Sequence, residues 1–230
     1  MDQFSEENPG AGPPLTYTVV RRTWLNKRPN SSAYIVAMST FLFIMALCFG
    51  QWNNFRDLAE LWPATQEQVF QKHEYWRLWT TLFVHADLGH LAANSLLFFI
   101  FGYFLYGYFG GFVFPFLALL MGGVTNAVSL LTYWPTTRLV GASGIVSWMG
   151  GFWLALYFAL NTKLTPMQRF LRCGGVGLIL FAPSEAFDPK ISHRTHAIGF
   201  VIGVICGAIY YQYRKKEFKR AERKETIVED

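Results

Sequence analysis

The chain has 230 residues, 52% hydrophobic and 18% aromatic, and its 15% charged content falls well short of the roughly 25% usual in soluble domains. That deficit excludes an ordinary water-soluble domain. The three cysteines, Cys48, Cys173 and Cys206, sit in or beside apolar stretches, which excludes a disulfide framework. The net charge of +5 gathers largely in a C-terminal RKKEFKRAERK run. Beside apolar spans such a run is a membrane-orientation signal assisted by anionic lipid, and no nucleic-acid partner is expected.

Residues 1–32 form a polar tail in which Arg21, Arg22, Lys27 and Arg28 approach the first apolar stretch. They lack the early apolar core of a signal peptide, so the first span, about 32–50, is expected to act as an uncleaved insertion signal. A polar-aromatic loop, about 51–80, follows. It is too long for a tight turn, so short helices of its own are expected, and its tryptophans favour the membrane interface.

The second span covers about 90–109 after HADLGH, and Gly110-Gly111 turns into a third, about 112–133. WPTTR leads to a fourth, about 142–160. The basic loop NTKLTPMQRFLR precedes a fifth, about 173–187, which Pro183 and Glu185 interrupt. DPKISHRT then leads to a sixth, about 196–213. The expected architecture is an all-α, polytopic six-helix membrane bundle over 33–213, with tails 1–32 and 214–230 that hold no further domain. Of the 20 Lys and Arg residues, fourteen fall on the side holding both termini and six on the other, which places the termini in the cytoplasm.

This topology brings polar groups from three spans to one depth on the outer side. His85, His90 and Asn94 open the second span, Ser143 the fourth and His196 the sixth. Polar and ionisable groups in spans are costly and mark function. His90 and Asn94 are four apart and share a helix face. In Gly141-Ala142-Ser143-Gly144 the glycines bare the backbone around a hydroxyl; helix packing alone also accounts for such small residues. Gly199, Gly203 and Gly207 form a period-four stripe after His196, which would bring it within reach of Ser143 if the sixth span packs on the fourth.

A serine hydroxyl becomes a useful nucleophile when an imidazole takes its proton, and the oxyanion it creates needs donors. The Asn94 amide, the His90 ring and the Ser143 N–H suit that need. Asp87 lies in a loop turn and Glu185 elsewhere, so a Ser–His dyad rather than a triad is expected. Metal binding competes for the histidines. However, His85 and His90 are five apart, off one helical face, with no H-E-x-x-H motif and no cysteine nearby in sequence, so no metal or other cofactor is expected. His73 and His193 are expected as loop histidines without a role. No matching pair of broken hydrophobic halves suggests a transporter.

The set His85-x4-His90-x3-Asn94, Gly141-Ala142-Ser143-Gly144 and His196-x2-Gly199-x3-Gly203, with Trp76-Arg77 ahead of the second span, resembles the rhomboid intramembrane serine proteases over about residues 34–212. The resemblance implies Ser143 as nucleophile and His196 as general base and then acid. It implies His90, Asn94 and the Ser143 N–H as the oxyanion site, with Gly141 keeping the approach open and His85 supporting the site or its water. Substrates would be single-span membrane proteins in the lipid bilayer, cut near the outer face where a helix can unwind. The fifth span and the loop after it would act as a gate. The compact core points to a bacterial inner membrane; the oligomeric state is not legible. One departure stands out: many family members stack an aromatic residue, four after the serine, on the imidazole, and here Ser147 takes that place. The alternative is a rhomboid-like protein that binds membrane segments without cutting them, as family members lacking the serine or histidine do.

Overall fold

The computed structural model describes residues 15–53, 55–85, 87–181 and 193–229. Strand β1 (Leu15–Arg22) leads to helix α1 (Ala33–Trp52). Two one-turn helices, α2 (Leu58–Leu61) and α3 (Arg77–Thr80), lie in the connection to α4 (Leu88–Phe109). Then come α5 (Ala118–Leu130), α6 (Ser143–Leu160), α7 (Pro166–Phe181), α8 (His193–Arg220) and strand β2 (Arg223–Glu229). Among the described residues five segments are long and apolar enough to cross a membrane: α1, α4, Phe112–Leu130, α6 and α8.

Helix α6 is the axis of the bundle. Every residue from Ser143 to Phe152 is buried, as suits a helix apolar on all sides. It packs against α4, α5, α7 and most extensively α8. The third span bends near its start. Pro115 holds the preceding Phe114 in an extended conformation (φ −137°, ψ 128°), as the proline ring requires of its neighbour. The Phe114 ring fills the space that Gly102 of α4 leaves open.

Three elements differ from the sequence expectation. Helix α7 starts at Pro166, not near Cys173. Thr165 and Gln168 exchange hydrogen bonds, the Thr165 hydroxyl accepting from the Gln168 N–H (3.2 Å) and the Gln168 side chain from the Thr165 N–H (3.1 Å). This capping box, with proline at the first helical position, starts a helix inside the stretch expected as a loop. Residues 182–187 of the expected fifth span, Pro183 and Glu185 among them, lie outside the described residues, as do 188–192 of the following loop and residues 1–14 of the N-tail.

Helix α8 continues past Tyr213 to Arg220, because the basic tail alternates good helix formers with acids. Arg214 pairs with Glu217, and Lys219 meets Glu222 at 3.0 Å. The two tails also join each other: β1 and β2 pair antiparallel from Leu15 opposite Glu229 to Arg22 opposite Arg223. β-Branched Thr16, Thr18, Val19 and Val20 suit that pairing.

The connection between α1 and α4 is tied down by one buried cation. Arg77, 4% exposed, pairs with Glu74 and donates to the carbonyls of Leu61 and of Pro63 (3.1 Å). Thr80 adds a hydrogen bond to the Trp62 carbonyl (3.1 Å). Trp79 anchors the segment to α5: its ring lies over Gly123, and its indole N–H donates to the Leu119 carbonyl (3.1 Å).

Candidate active site

Glycine determines how closely α6 and α8 approach. A Cβ at Gly199 would stand 2.4 Å from the Gly144 carbonyl oxygen, and one at Gly203 2.2 Å from that of Trp148. On the facing helix, a Cβ at Gly151 would stand 2.2 Å from the Phe200 oxygen. The two backbones therefore touch along the whole seam. At its polar end the Thr195 methyl closes against Gly144, where a Cβ would lie only 2.9 Å away. The Thr195-His196 pair of α8 thus stands beside the Ser143-Gly144 pair that opens α6. Ser143 is 8% exposed, and His196 is half-buried.

His90 and Asn94 join from α4. Asp87 caps that helix by accepting from the His90 N–H (2.8 Å), which fixes its first turn. Gly141 has φ +99°, in the region that favours glycine, and a Cβ there would meet the His90 ring at 3.0 Å and the Asn94 amide at 3.9 Å. The bend that presents Ser143 is therefore packed directly on His90 and Asn94. It is held from behind by the Gly141 N–H donating to the Thr81 carbonyl (3.0 Å). Among the described residues the buried Asn94 amide nitrogen has no hydrogen-bond partner, so a donor is available on that side of the site. His196 lies within electrostatic reach of both His90 and His193.

His85 lies beneath the bend, 2% exposed. The Ala142 N–H donates to its Nε2 (3.4 Å), so the neutral ring carries its proton on Nδ1. Nδ1 faces the Cys48 sulfur at 3.3 Å, and the Cys48 thiol donates to the Phe83 carbonyl (3.1 Å). The Trp52 indole, one turn along α1 from Cys48, donates to the His85 carbonyl (2.8 Å). Burial, with a smaller contribution from His90 and an opposing one from Asp87, pushes the His85 imidazole down to about 4. The ring stays neutral and can keep accepting from Ala142. In the sequence no cysteine stands near the histidines; α1 brings Cys48 there from 37 residues away. Nothing in local spacing marks that contact.

One other expectation changes. His193 belongs to α8, one turn before His196, and their ring centroids are 6.3 Å apart at 79°. It is a helical neighbour of His196, not a loop residue. Ser147 is buried, and Trp148 after it packs on Phe152 with centroids 5.0 Å apart. His73 is a loop residue as expected, its Nδ1 2.9 Å from the Tyr75 hydroxyl. Together, Ser143, His196, His90, Asn94 and Gly141 lie around one bend, with His85 underneath. A hydroxyl, an imidazole and amide donors gathered at one bend are the parts that acyl transfer requires.

The chain resembles known proteins in this region. Residues 72–213 match the family model described as Rhomboid domain. Rhomboid protease GlpG of Haemophilus influenzae (strain ATCC 51907 / DSM 11121 / KW20 / Rd) is 28% identical over 159 residues, which cover 69% of this chain and 80% of that protein. Rhomboid protease GluP of Bacillus subtilis (strain 168) is 26% identical over 155 residues, which cover 67% of this chain but only 29% of that protein's length. The family match spans the capped start of α4, the Ser143 bend and the glycine seam of α8: the chain is a multi-pass membrane protein that belongs to the rhomboid family.

Proposed function

We propose that this protein is an intramembrane serine endopeptidase that cuts membrane-spanning segments of other proteins by a Ser143–His196 dyad. The observation that carries this reading is the α6–α8 seam, which sets Thr195-His196 against Ser143-Gly144 while Gly141 rests on His90 and Asn94. His196 takes the Ser143 proton as the hydroxyl oxygen attacks the scissile carbonyl carbon. The resulting oxyanion is received by the Asn94 amide, the His90 ring and the Ser143 N–H. His196 then returns the proton to the leaving amine, the C–N bond breaks, and an acyl-enzyme remains. Water, deprotonated by His196, releases the acid and restores the serine.

The substrate is a single-span membrane protein. A helix pairs its own backbone groups, so the cut falls where the segment unwinds, near the face that holds Ser143. The Lys and Arg distribution supports both termini in the cytoplasm and the site on the outer side. Six spans, with α7 counted as the fifth, give that arrangement, and a bacterial inner membrane is the proposed location.

A tagged single-span reporter reconstituted in liposomes with wild type, Ser143→Ala and His196→Ala tests this reading. Cleavage by wild type and at least a thousandfold loss in each variant are expected. Undiminished cutting by both variants would refute the dyad. Capture of the reporter without cutting by wild type would show a binding protein instead.

A further inference from the structure

At the opposite end of the molecule from Ser143 lies a second built site. A cavity of about 380 Å³ opens between the segment ahead of α1, the end of α4 and the last turns of α8. Among the described residues it is lined by Lys27, Arg28 and Arg214 against a single carboxylate, Glu217. Arg214 already pairs with Glu217, so the cavity carries two surplus positive charges.

Its walls are fixed. The Lys27 ammonium rests 3.3 Å over the Trp24 ring. Trp24 in turn donates to the Tyr108 carbonyl (3.1 Å) and packs edge-on against Phe218 with centroids 5.1 Å apart. The Asn30 N–H donates to the Gly107 carbonyl (2.9 Å), and a Cβ at Gly107 would come within 2.8 Å of Pro29. Contacts of this kind seat the approach segment on α4, and the β1–β2 pairing joins it to the far end of α8.

Depth identifies the ligand. Along α8, Arg214 is about 27 Å from His196 at ~1.5 Å per residue, close to the thickness of a bilayer's hydrocarbon core. The surplus cations therefore stand at headgroup height on the face opposite the serine. We propose that this cavity is a phosphate-binding site, with Arg28 and Lys27 as its principal ligands, that receives the phosphate of an anionic phospholipid. Arg28 offers a planar fork of donors and Lys27 a compact point charge, a pairing suited to phosphate oxygens.

Lipid retention by the full chain, read by native mass spectrometry after extraction from vesicles of mixed phosphatidylglycerol and phosphatidylcholine, tests the site. Wild type should retain phosphatidylglycerol preferentially. Arg28→Gln should lower that preference about tenfold, and Lys27→Gln with Arg28→Gln further, since each removes a charge-assisted hydrogen bond to the phosphate. Lys163→Gln with Arg172→Gln, an equal loss of charge outside the cavity, should leave it unchanged. Arg28→Lys should retain most of it, which separates charge loss from misfolding. Millimolar inorganic phosphate that displaces the lipid in wild type but not in the double variant would identify free phosphate as a competing source at the same site. Equal retention by wild type and the Lys27/Arg28 variant, or an equal loss in the Lys163/Arg172 control, would overturn the proposal. Binding is read without any cleavage, so either result leaves the protease reading untouched.

Discussion

Cys48 Sγ stands 3.3 Å from Nδ1 of His85, and the other nitrogen of that ring accepts from the backbone N–H of Ala142, next to Ser143. A thiol in α1 thereby accepts the Nδ1 proton of a histidine that props the bend carrying the proposed nucleophile. Cys48→Ala removes the acceptor for the Nδ1 proton. The buried N–H is left unsatisfied, at a cost of about 1–2 kcal/mol. Thermal unfolding in detergent should show that loss, and reporter cleavage should fall several-fold. Cys48→Ser supplies another acceptor and should recover most of both. Equal defects in the two variants would mean that sulfur packing, not the hydrogen bond, matters.

His85 also gives the fold a pH dependence of known sign. Its imidazole is held down to about 4 in the folded protein, against 6.5 when free. Between these values the unfolded chain binds more protons, so stability contributed by this residue is full above pH 6.5 and is lost as the pH falls toward 4. The integrated effect is about 3 kcal/mol. His85→Gln cannot titrate. The melting-temperature gap between wild type and this variant should therefore narrow steadily from pH 7 to pH 4. A gap that stays constant would show that His85 does not control this range.

The glycine seam and the site order were legible in the sequence because they follow fixed periods. Gly199, Gly203 and Gly207 repeat every four residues, and His90 and Asn94 share a face by the same rule. What could not be read depends on contacts between distant stretches. Cys48 meets His85 only because α1 packs against the segment leading into α4. The tails look like solvated charge until β1 and β2 are set side by side. The start of α7 was legible in principle, since Thr165-Pro166-Met167-Gln168 is a helix-start signature, but the basic residues around it suggested a loop. The placement of His193 depended on where α8 begins, which is among the least certain features of any sequence reading.

The seam predicts opposite outcomes for two glycine substitutions. Gly199→Ala puts a methyl group 2.4 Å from the Gly144 carbonyl oxygen, a backbone atom that cannot swing aside. Helices α6 and α8 must separate, costing about 2 kcal/mol or more and moving His196 from Ser143. A hundredfold or greater loss of cleavage is expected. Gly174→Ala on α7 meets nothing within 4 Å among the described residues and should be neutral or stabilising by up to ~1 kcal/mol, since alanine favours helix. Thermal melts of both variants, with reporter cleavage, check the pair. A Gly199→Ala protein as active as Gly174→Ala would remove the seam from the mechanism.

Gly141→Ala separates the shape of the bend from the chemistry of Ser143. A φ of +99° strains any residue with a Cβ, by about 1–2 kcal/mol. The added methyl would also press on the His90 ring at 3.0 Å and approach the Asn94 amide at 3.9 Å. The α6–α8 seam begins at Gly144 and is untouched, so Ser143 and His196 keep their places while the proposed oxyanion donors are pushed outward. The dyad should therefore still react with a small fluorophosphonate at a measurable rate, while kcat for reporter cleavage falls ten- to a hundredfold, less than the hundred- to thousandfold of a donor removed outright, because the donors are displaced rather than lost. KM should change little, since the oxyanion forms only after the substrate is bound. If KM rises and kcat holds, His90 and Asn94 contact the substrate rather than the oxyanion. If labelling and cleavage fall together, Gly141 serves to position Ser143 itself.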